Sequence, residues 1–152
     1  GSHNSIDGSI EEFLQREKDL GFFQQETYSQ FRENAISSKM DLLKILIDLK
    51  KKRKSVAGYS LPARAMTLIN YVGIDYDLLP YVVEQKSSLK LNKYVPGTRI
   101  PVISNECLEA NNPDYYLVFA WHLKDEIIAH LRSRGLKGIC IIPLPEVTLI
   151  EL

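Results

Sequence analysis

Short apolar runs alternate with longer amphipathic segments through most of the chain, and this alternation constrains the fold more than any other feature. From Ser55 onward, runs of about five residues are separated by segments of about twelve. Such an order closes most readily into right-handed βαβ units with parallel strands. The last two runs have only residues 143–145 between them, too short a link for a parallel crossover. The sequence therefore predicts an α/β fold with a three-layer, Rossmann-like, mostly parallel sheet and one antiparallel edge.

The individual elements follow from these runs and from the turn residues between them. The run at 115–120 is nearly all apolar, which is typical of a strand buried on both faces. Pro62 suits the first turn of a helix, where its missing N–H is not needed, and Gly135 suits a helix end. Strands are predicted at 55–59, 79–83, 100–103, 115–120, 138–142 and 146–150, and helices at 62–71, from 104, and at 122–134.

Helical patterns also precede this region. Residues 9–20 predict a short helix that ends at Gly21. Apolar residues from Tyr28 to about Lys54 recur at helical spacings, so they share one face of a long helix. We therefore predict a tag remnant at 1–3, an N-terminal helical segment at 4–54 and a Rossmann-like domain at 55–152.

The charge balance excludes a general attraction to nucleic acid or to anionic membranes, because nineteen basic residues match nineteen acidic ones. The basic run at 50–54 is interpreted as a solvated helix end rather than a nucleic-acid patch. No apolar stretch reaches the roughly 20 residues of a membrane span and no signal peptide is visible, so the simplest location is the cytoplasm. Cys107 and Cys140 lack metal-ligand spacing and are predicted to be reduced thiols.

Ligands of open α/β sheets bind beyond the carboxyl ends of the strands, near the point where the strand order reverses. The first loop at this edge combines a glycine that permits a tight turn with helix-start N–H groups that can hold a phosphate. Arg64, one turn into that helix, adds a charge-assisted donor. One glycine is not a dinucleotide fingerprint, so a structural turn is the alternative. This loop consists of Gly58, Tyr59, Ser60, Leu61, Pro62, Ala63 and Arg64.

Two further loops belong to the same predicted edge. The loop from residue 84 to residue 101 is long, which favours a functional role, and a solvated surface loop is its alternative. The loop after the fourth strand offers an indole for stacking and an imidazole donor at a helix start, with core closure and a helix cap as alternatives. The residues singled out in these loops are Glu84, Lys90, Pro96, Gly97, Thr98, Trp121 and His122.

No catalytic centre is predicted within the chain. The sequence has no paired Cys/His cluster for zinc, no GxSxG nucleophile elbow and no pair of residues that would activate a nucleophile. His122 and His130 are separated by two helical turns, about 12 Å, which is too far for them to share a metal.

The order of the motifs is more informative than any one of them. Along the chain they are VAGYSLPARA at 56–65, LINY at 68–71, Lys90, YVPGTRIPV at 94–102, PDY at 113–115, AWH at 120–122, EII at 126–128 and IPLP at 142–145. Over roughly residues 30–148, this series resembles the C-terminal domain of the S-adenosylmethionine-dependent sugar C-methyltransferases, which make branched deoxysugars.

The resemblance implies a three-part enzyme, in which a zinc-binding segment and a central methyltransferase domain precede this one. S-adenosylmethionine and zinc would be held by those preceding parts and neither by this domain. The C-terminal domain would help to hold the nucleotide diphosphate of the sugar substrate, with the loop at 58–64 against the diphosphate. Arg64 stands where the family usually has lysine. The turn at 96–98, Trp121 and His122 would line the same end of the sheet.

The chain also departs from the family pattern. The family commonly has an aspartate and then an Asn-Pro-x-Lys-Gln-Gly-like stretch after the second strand. Here the aspartate position falls at Gln85, beside Glu84, while Ser88 replaces the proline and Asn92 the glycine. Ser60 stands where the first turn usually has a second glycine. Since the loop after the second strand reads the ribose in such folds, nucleotide identity is the property that these departures affect most.

Two functional classes follow. The leading hypothesis is a substrate-binding domain for a nucleotide-diphosphate sugar, inactive without its N-terminal catalytic domain. The alternative is a structural or interaction module whose long helix packs on a partner domain and whose Rossmann-like pocket is empty. An independent dehydrogenase is disfavoured because the glycine fingerprint and a catalytic pair are both missing.

Overall fold

A computed structural model describes residues 8–152, so the tag remnant predicted at 1–3 lies outside the described residues. The chain divides into two compact units, the first ending at Ser37 and the second spanning Ser38–Leu152. The separate prediction of a domain boundary after residue 54 stays a prediction.

The first unit is helical. Helix α1 spans Ser9–Asp19, and Gly21 follows it with φ 74°, a left-handed conformation that favours glycine. Helix α2 begins at Gln25 and continues to Lys51, across the division between the units. The turn between the helices is closed by the Thr27 hydroxyl, which donates to the Gly21 carbonyl at 2.7 Å. The short and the long helix predicted for this region are thus confirmed.

The second unit contains a six-stranded sheet in the order β3-β2-β1-β4-β5-β6. Neighbouring strands are parallel except at one edge, where β6 runs antiparallel to β5. This confirms the predicted fold class, antiparallel edge included. The strands are β1 Val56–Tyr59, β2 Val82–Glu84, β3 Val102–Ser104, β4 Tyr115–Val118, β5 Ile139–Ile142 and β6 Thr148–Glu151.

Helices cover both faces of this sheet. Helix α3 (Ala63–Val72) and the end of α2, with Leu42 and Leu46, pack on one face, whereas α5 (Lys124–Ser133) packs on the other. Strand β4 contributes Leu117 to the first core and its neighbours to the second, so it is buried on both faces as its composition predicts. A four-residue helix, α4 (Cys107–Ala110), precedes β4, and a 3-10 turn, Trp121–Leu123, precedes α5.

Prolines displace two strands from their predicted bounds. The second strand was expected from residue 79, but β2 begins at Val82, because Pro80 has no N–H to donate to the ladder. Likewise β3 begins only after Pro101, whose carbonyl accepts the Val82 N–H at 3.0 Å. Leu79 is nevertheless fully buried. The apolar run from residue 79 therefore predicts the core correctly, but its start does not coincide with the start of the strand.

Both cysteines are free thiols, as predicted, and burial raises the pKa of Cys140 to about 11. Among residues 8–152, no helix is long and apolar enough to cross a membrane.

Candidate functional site

The strand order reverses between β1 and β4. From β1 the chain builds outward through β2 to β3, then returns to the other side of β1 to add β4, β5 and β6. Tyr59 and Val118 pair at the carboxyl ends of the two central strands. The loops that follow these strands therefore leave the sheet side by side, at the position where open α/β sheets bind ligands.

Three predicted site residues meet at this point. One terminal nitrogen of Arg64 lies 3.2 Å from Nδ1 and 3.4 Å from Nε2 of His122. The guanidinium carbon lies 5.5 Å from the centroid of the Trp121 ring, a cation–π distance. One guanidinium nitrogen thus lies almost equally close to both ring nitrogens of His122, so the guanidinium contacts the imidazole ring as a whole. The first and third candidate loops are thus joined through side chains.

This cluster is open to an incoming ligand. Arg64 and His122 are exposed and Trp121 is half-buried. Arg64 belongs to the first turn of the ten-residue helix α3, which starts after Pro62. The partial positive charge of a helix N-terminus and the full charge of Arg64 act in the same place. The arrangement can attract an anion and bond to it through a planar donor group.

Ser60 shapes the turn between β1 and α3. Its φ of 63° is in the left-handed region, which costs a residue with a side chain about 1–2 kcal/mol. Its N–H donates to the Val83 carbonyl at 3.0 Å, so the turn is held in that conformation. The backbone therefore adopts at Ser60 a conformation that glycine would adopt without strain.

Gly58 has a packing role that sequence reasoning missed. A Cβ atom at this position would lie 2.8 Å from the Phe119 ring and 2.8 Å from a methyl group of Val82. The glycine was expected to permit a tight turn, but it lies inside β1 and leaves room for two core side chains. The signal available in the sequence was its place in the middle of an apolar run, which indicates close approach in a strand.

Tyr59 also belongs to the core. It is 7% exposed and packs edge-on against Tyr116, with ring centroids 6.4 Å apart. Burial raises the pKa of the Tyr59 phenol, so this group stays neutral at physiological pH. Its side chain lies in the cluster covered by α5, and Leu61, 3% exposed, is buried with the opposite cluster.

Glu84 and Lys90 clamp the backbone of Leu61. An oxygen of Glu84 accepts the Leu61 N–H at 2.7 Å and the Lys90 ammonium at 3.2 Å. The same ammonium donates to the Leu61 carbonyl at 2.6 Å. With the Glu84 side chain only 13% exposed, both residues brace the turn that carries Ser60 and Arg64.

The turn Pro96-Gly97-Thr98 is held against α3. The Asn70 amide donates to the Pro96 carbonyl at 3.1 Å, and a side chain at Gly97 would collide with Asn70. The Thr98 hydroxyl donates to the Val95 carbonyl at 2.9 Å within the turn itself. These contacts hold the turn against Asn70 of α3.

A surface cavity of about 320 Å³ lies at the opposite, amino edge of the sheet. Asp114 lines it and accepts bonds from the Ser55 N–H at 2.8 Å, the Ser55 hydroxyl at 2.9 Å and Lys54 at 3.1 Å. These donors, the Ser55 N–H first among them, lower the pKa of Asp114. The carboxylate thus joins the segment after α2 to the start of β4, a structural role. Within the described part of the chain, no three His, Cys, Asp or Glu side chains are grouped so as to hold a metal ion.

Comparison with known proteins gives two matches. A family model described as the C-methyltransferase C-terminal domain matches residues 1–145. The C-methyltransferase NovU of Streptomyces niveus is 29% identical over 141 residues, which cover 91% of this chain and 33% of NovU. The chain thus spans about one third of the length of this relative.

Proposed function

Because the chain belongs to the family of C-methyltransferase C-terminal domains, we propose that it is the substrate-binding part of a longer sugar C-methyltransferase. The family itself, expected from the order of the motifs, is confirmed. The proposed substrate is a nucleotide-diphosphate sugar. The methyl donor would be S-adenosylmethionine, held by a central methyltransferase domain of the same protein, and zinc would be held by a segment that precedes that domain. We propose that the protein is cytoplasmic.

The observation that carries this proposal is the position of Arg64. Its guanidinium lies against His122 and Trp121 where the strand order reverses, and in the first turn of α3. A diphosphate is the part of a nucleotide sugar that such donors recognise, because phosphate oxygens accept charge-assisted bonds at helix N-termini. In this arrangement the chain binds and orients the substrate, and the chemistry of methyl transfer belongs to the catalytic domain.

Three of the proposed residues, Glu84, Lys90 and Gly58, support the site indirectly. Glu84 and Lys90 hold Leu61 and thereby the turn, and Gly58 keeps β1 close to its neighbours. Pro96, Gly97 and Thr98 are proposed at the outer rim, where α3 supports them through Asn70.

Titration of the 152-residue chain with deoxythymidine diphosphate and with uridine diphosphate tests the assignment. Backbone amide resonances in the segments 60–64 (except Pro62) and 119–123 should shift most, because Arg64 belongs to the first segment and contacts His122 in the second. Shifts confined to the amino edge, around Asp114, would contradict the proposal, as would the absence of any shift at millimolar nucleotide.

The alternative function is a structural or interaction module, and one observation favours it. Glu84 and Lys90 already bond to protein groups, as they would in a turn with no ligand to receive. That reading predicts no nucleotide binding by the unaltered chain or by an Arg64 variant.

A further inference from the structure

The N-terminal unit leaves a set of large apolar side chains uncovered. Helix α1, all of it within the described residues, buries none of its side chains. Eight large apolar residues in the first unit are between 46% and 73% exposed. We call these the N-terminal apolar surface: Ile10, Phe13, Leu14, Leu20, Phe22, Phe23, Tyr28 and Phe31.

The surface is organised by local structure. Ile10, Phe13 and Leu14 are spaced three and four apart, so they lie on one face of α1. The Tyr28 hydroxyl donates to the Phe22 carbonyl at 2.7 Å, which holds an aromatic residue of α2 against the turn after α1. A helix of eleven residues is marginal by itself, and apolar surfaces of this kind usually mark an interaction site.

We propose that the N-terminal apolar surface docks onto the methyltransferase domain of the same polypeptide. This inference rests on the proposed function and adds the residues that make the contact. The family is a C-terminal domain, and the matched region makes up 33% of NovU, so most of that relative lies outside the match. A domain joined to this unit by the chain is present at high effective concentration, which favours contact with the nearest apolar surface.

Charge argues against a second copy as the occupant. Residues 8–37 contain six carboxylates and three basic side chains, a net charge of −3. Two copies meeting through this unit would bring like charges together, which disfavours association. The docked domain is therefore expected to present an apolar patch with basic residues around it.

Hydroxyl-radical footprinting of the 152-residue chain and of the full-length protein encoded by its gene tests this proposal. Oxidation at Phe13 and Phe31 should be at least fivefold slower in the full-length protein. Tyr76, an exposed aromatic residue of the second unit, serves as the internal control and should react equally in both.

A variant carrying Phe13→Ser and Phe31→Ser in the full-length protein should raise oxidation at Ile10 and Leu14 to the level of the shorter chain, and Tyr76→Ser should not. Circular dichroism establishes that both variants remain folded, and the comparison of unaltered proteins does not depend on them.

Equal oxidation of the two unaltered proteins would overturn the proposal. So would a dimeric 152-residue chain, by light scattering, in which Phe13 is already protected. Nucleotide titration does not depend on this surface. If only the proposed function is wrong, nucleotide binding will be absent while Phe13 and Phe31 are still oxidised more slowly in the full-length protein.

Discussion

Gly58 in β1 and Ser60 in the turn that follows it have opposite relations to glycine. Gly58 is a glycine because Phe119 and Val82 occupy the space of a side chain. Ser60 has a side chain although its backbone is left-handed. The pattern of the sequence identified this loop, but it could not assign these roles, since both depend on neighbours that lie on other strands.

Substitution at these two positions should therefore change stability in opposite directions. Gly58→Ala should lower the free energy of unfolding by about 1–3 kcal/mol through overpacking. Ser60→Gly should raise it, by up to about 1 kcal/mol, because relief of left-handed strain exceeds the added freedom of the unfolded chain. Urea denaturation measures both, and a destabilised Ser60→Gly protein would contradict the assigned strain.

Asp114 gives stability a dependence on pH. Its pKa is lowered in the folded chain by the Ser55 N–H, by Lys54 and by the Ser55 hydroxyl. Its contribution is therefore complete above the unfolded-state pKa of about 3.9 and is lost as pH falls through the lower folded-state value. The loss of unfolding free energy between pH 5 and pH 3 should be smaller in Asp114→Asn than in the unaltered protein. Asp125→Asn, at an exposed carboxylate of α5, should leave the slope nearly unchanged.

Among the helices and strands, the sequence predicted those features that depend on the order and length of apolar runs. Alternating apolar runs identified six strands, and their short final link identified the antiparallel edge. The runs could not locate strand ends, because Pro80 and Pro101 lie within apolar stretches and the ladder needs N–H donors that they lack. Nor could helical spacing separate the two ends of α2, where Phe31 is 73% exposed and Leu46 fully buried.

The clamp between the loop after β2 and the turn after β1 was also beyond sequence reasoning. Glu84 and Lys90 were predicted to bind substrate because their loop is long and because the resemblance includes it. In the folded chain they contact the two backbone polar groups of Leu61, a contact that depends on how two loops approach each other. Their role in binding substrate stays a prediction.

Removal of the clamp should destabilise the chain. Glu84→Ala leaves the buried Leu61 N–H without a partner and should lower the free energy of unfolding by about 1–3 kcal/mol. Glu106→Ala is the matched control, because its ion pair with Lys86 is exposed and should contribute little to stability. In a double-mutant cycle with Lys90→Met, the effects at Glu84 should be clearly non-additive. Additive effects would show that the clamp does not couple the two loops.

At the scale of the whole molecule, the chain is a Rossmann-like domain with a helical N-terminal unit, and it spans about a third of a C-methyltransferase relative. Its family was predictable because the resemblance depends on the order and spacing of many motifs and not on any single residue. Its ligand was not, because the loop after β2 departs from the pattern that the resemblance implies, and because Glu84 and Lys90 in this loop bond to protein groups. What remains at the switch point is a donor cluster built on Arg64.

Calorimetry on three proteins measures the affinity for a nucleoside diphosphate and shows whether Arg64 forms its binding site. Arg64→Ala should weaken binding of deoxythymidine or uridine diphosphate about ten- to a hundredfold, the range expected for a lost charged hydrogen bond. Arg32→Ala, which removes the same charge from the first unit, should bind within about twofold of the unaltered chain. Equal affinities in all three proteins, or binding in none, would contradict a diphosphate site at Arg64.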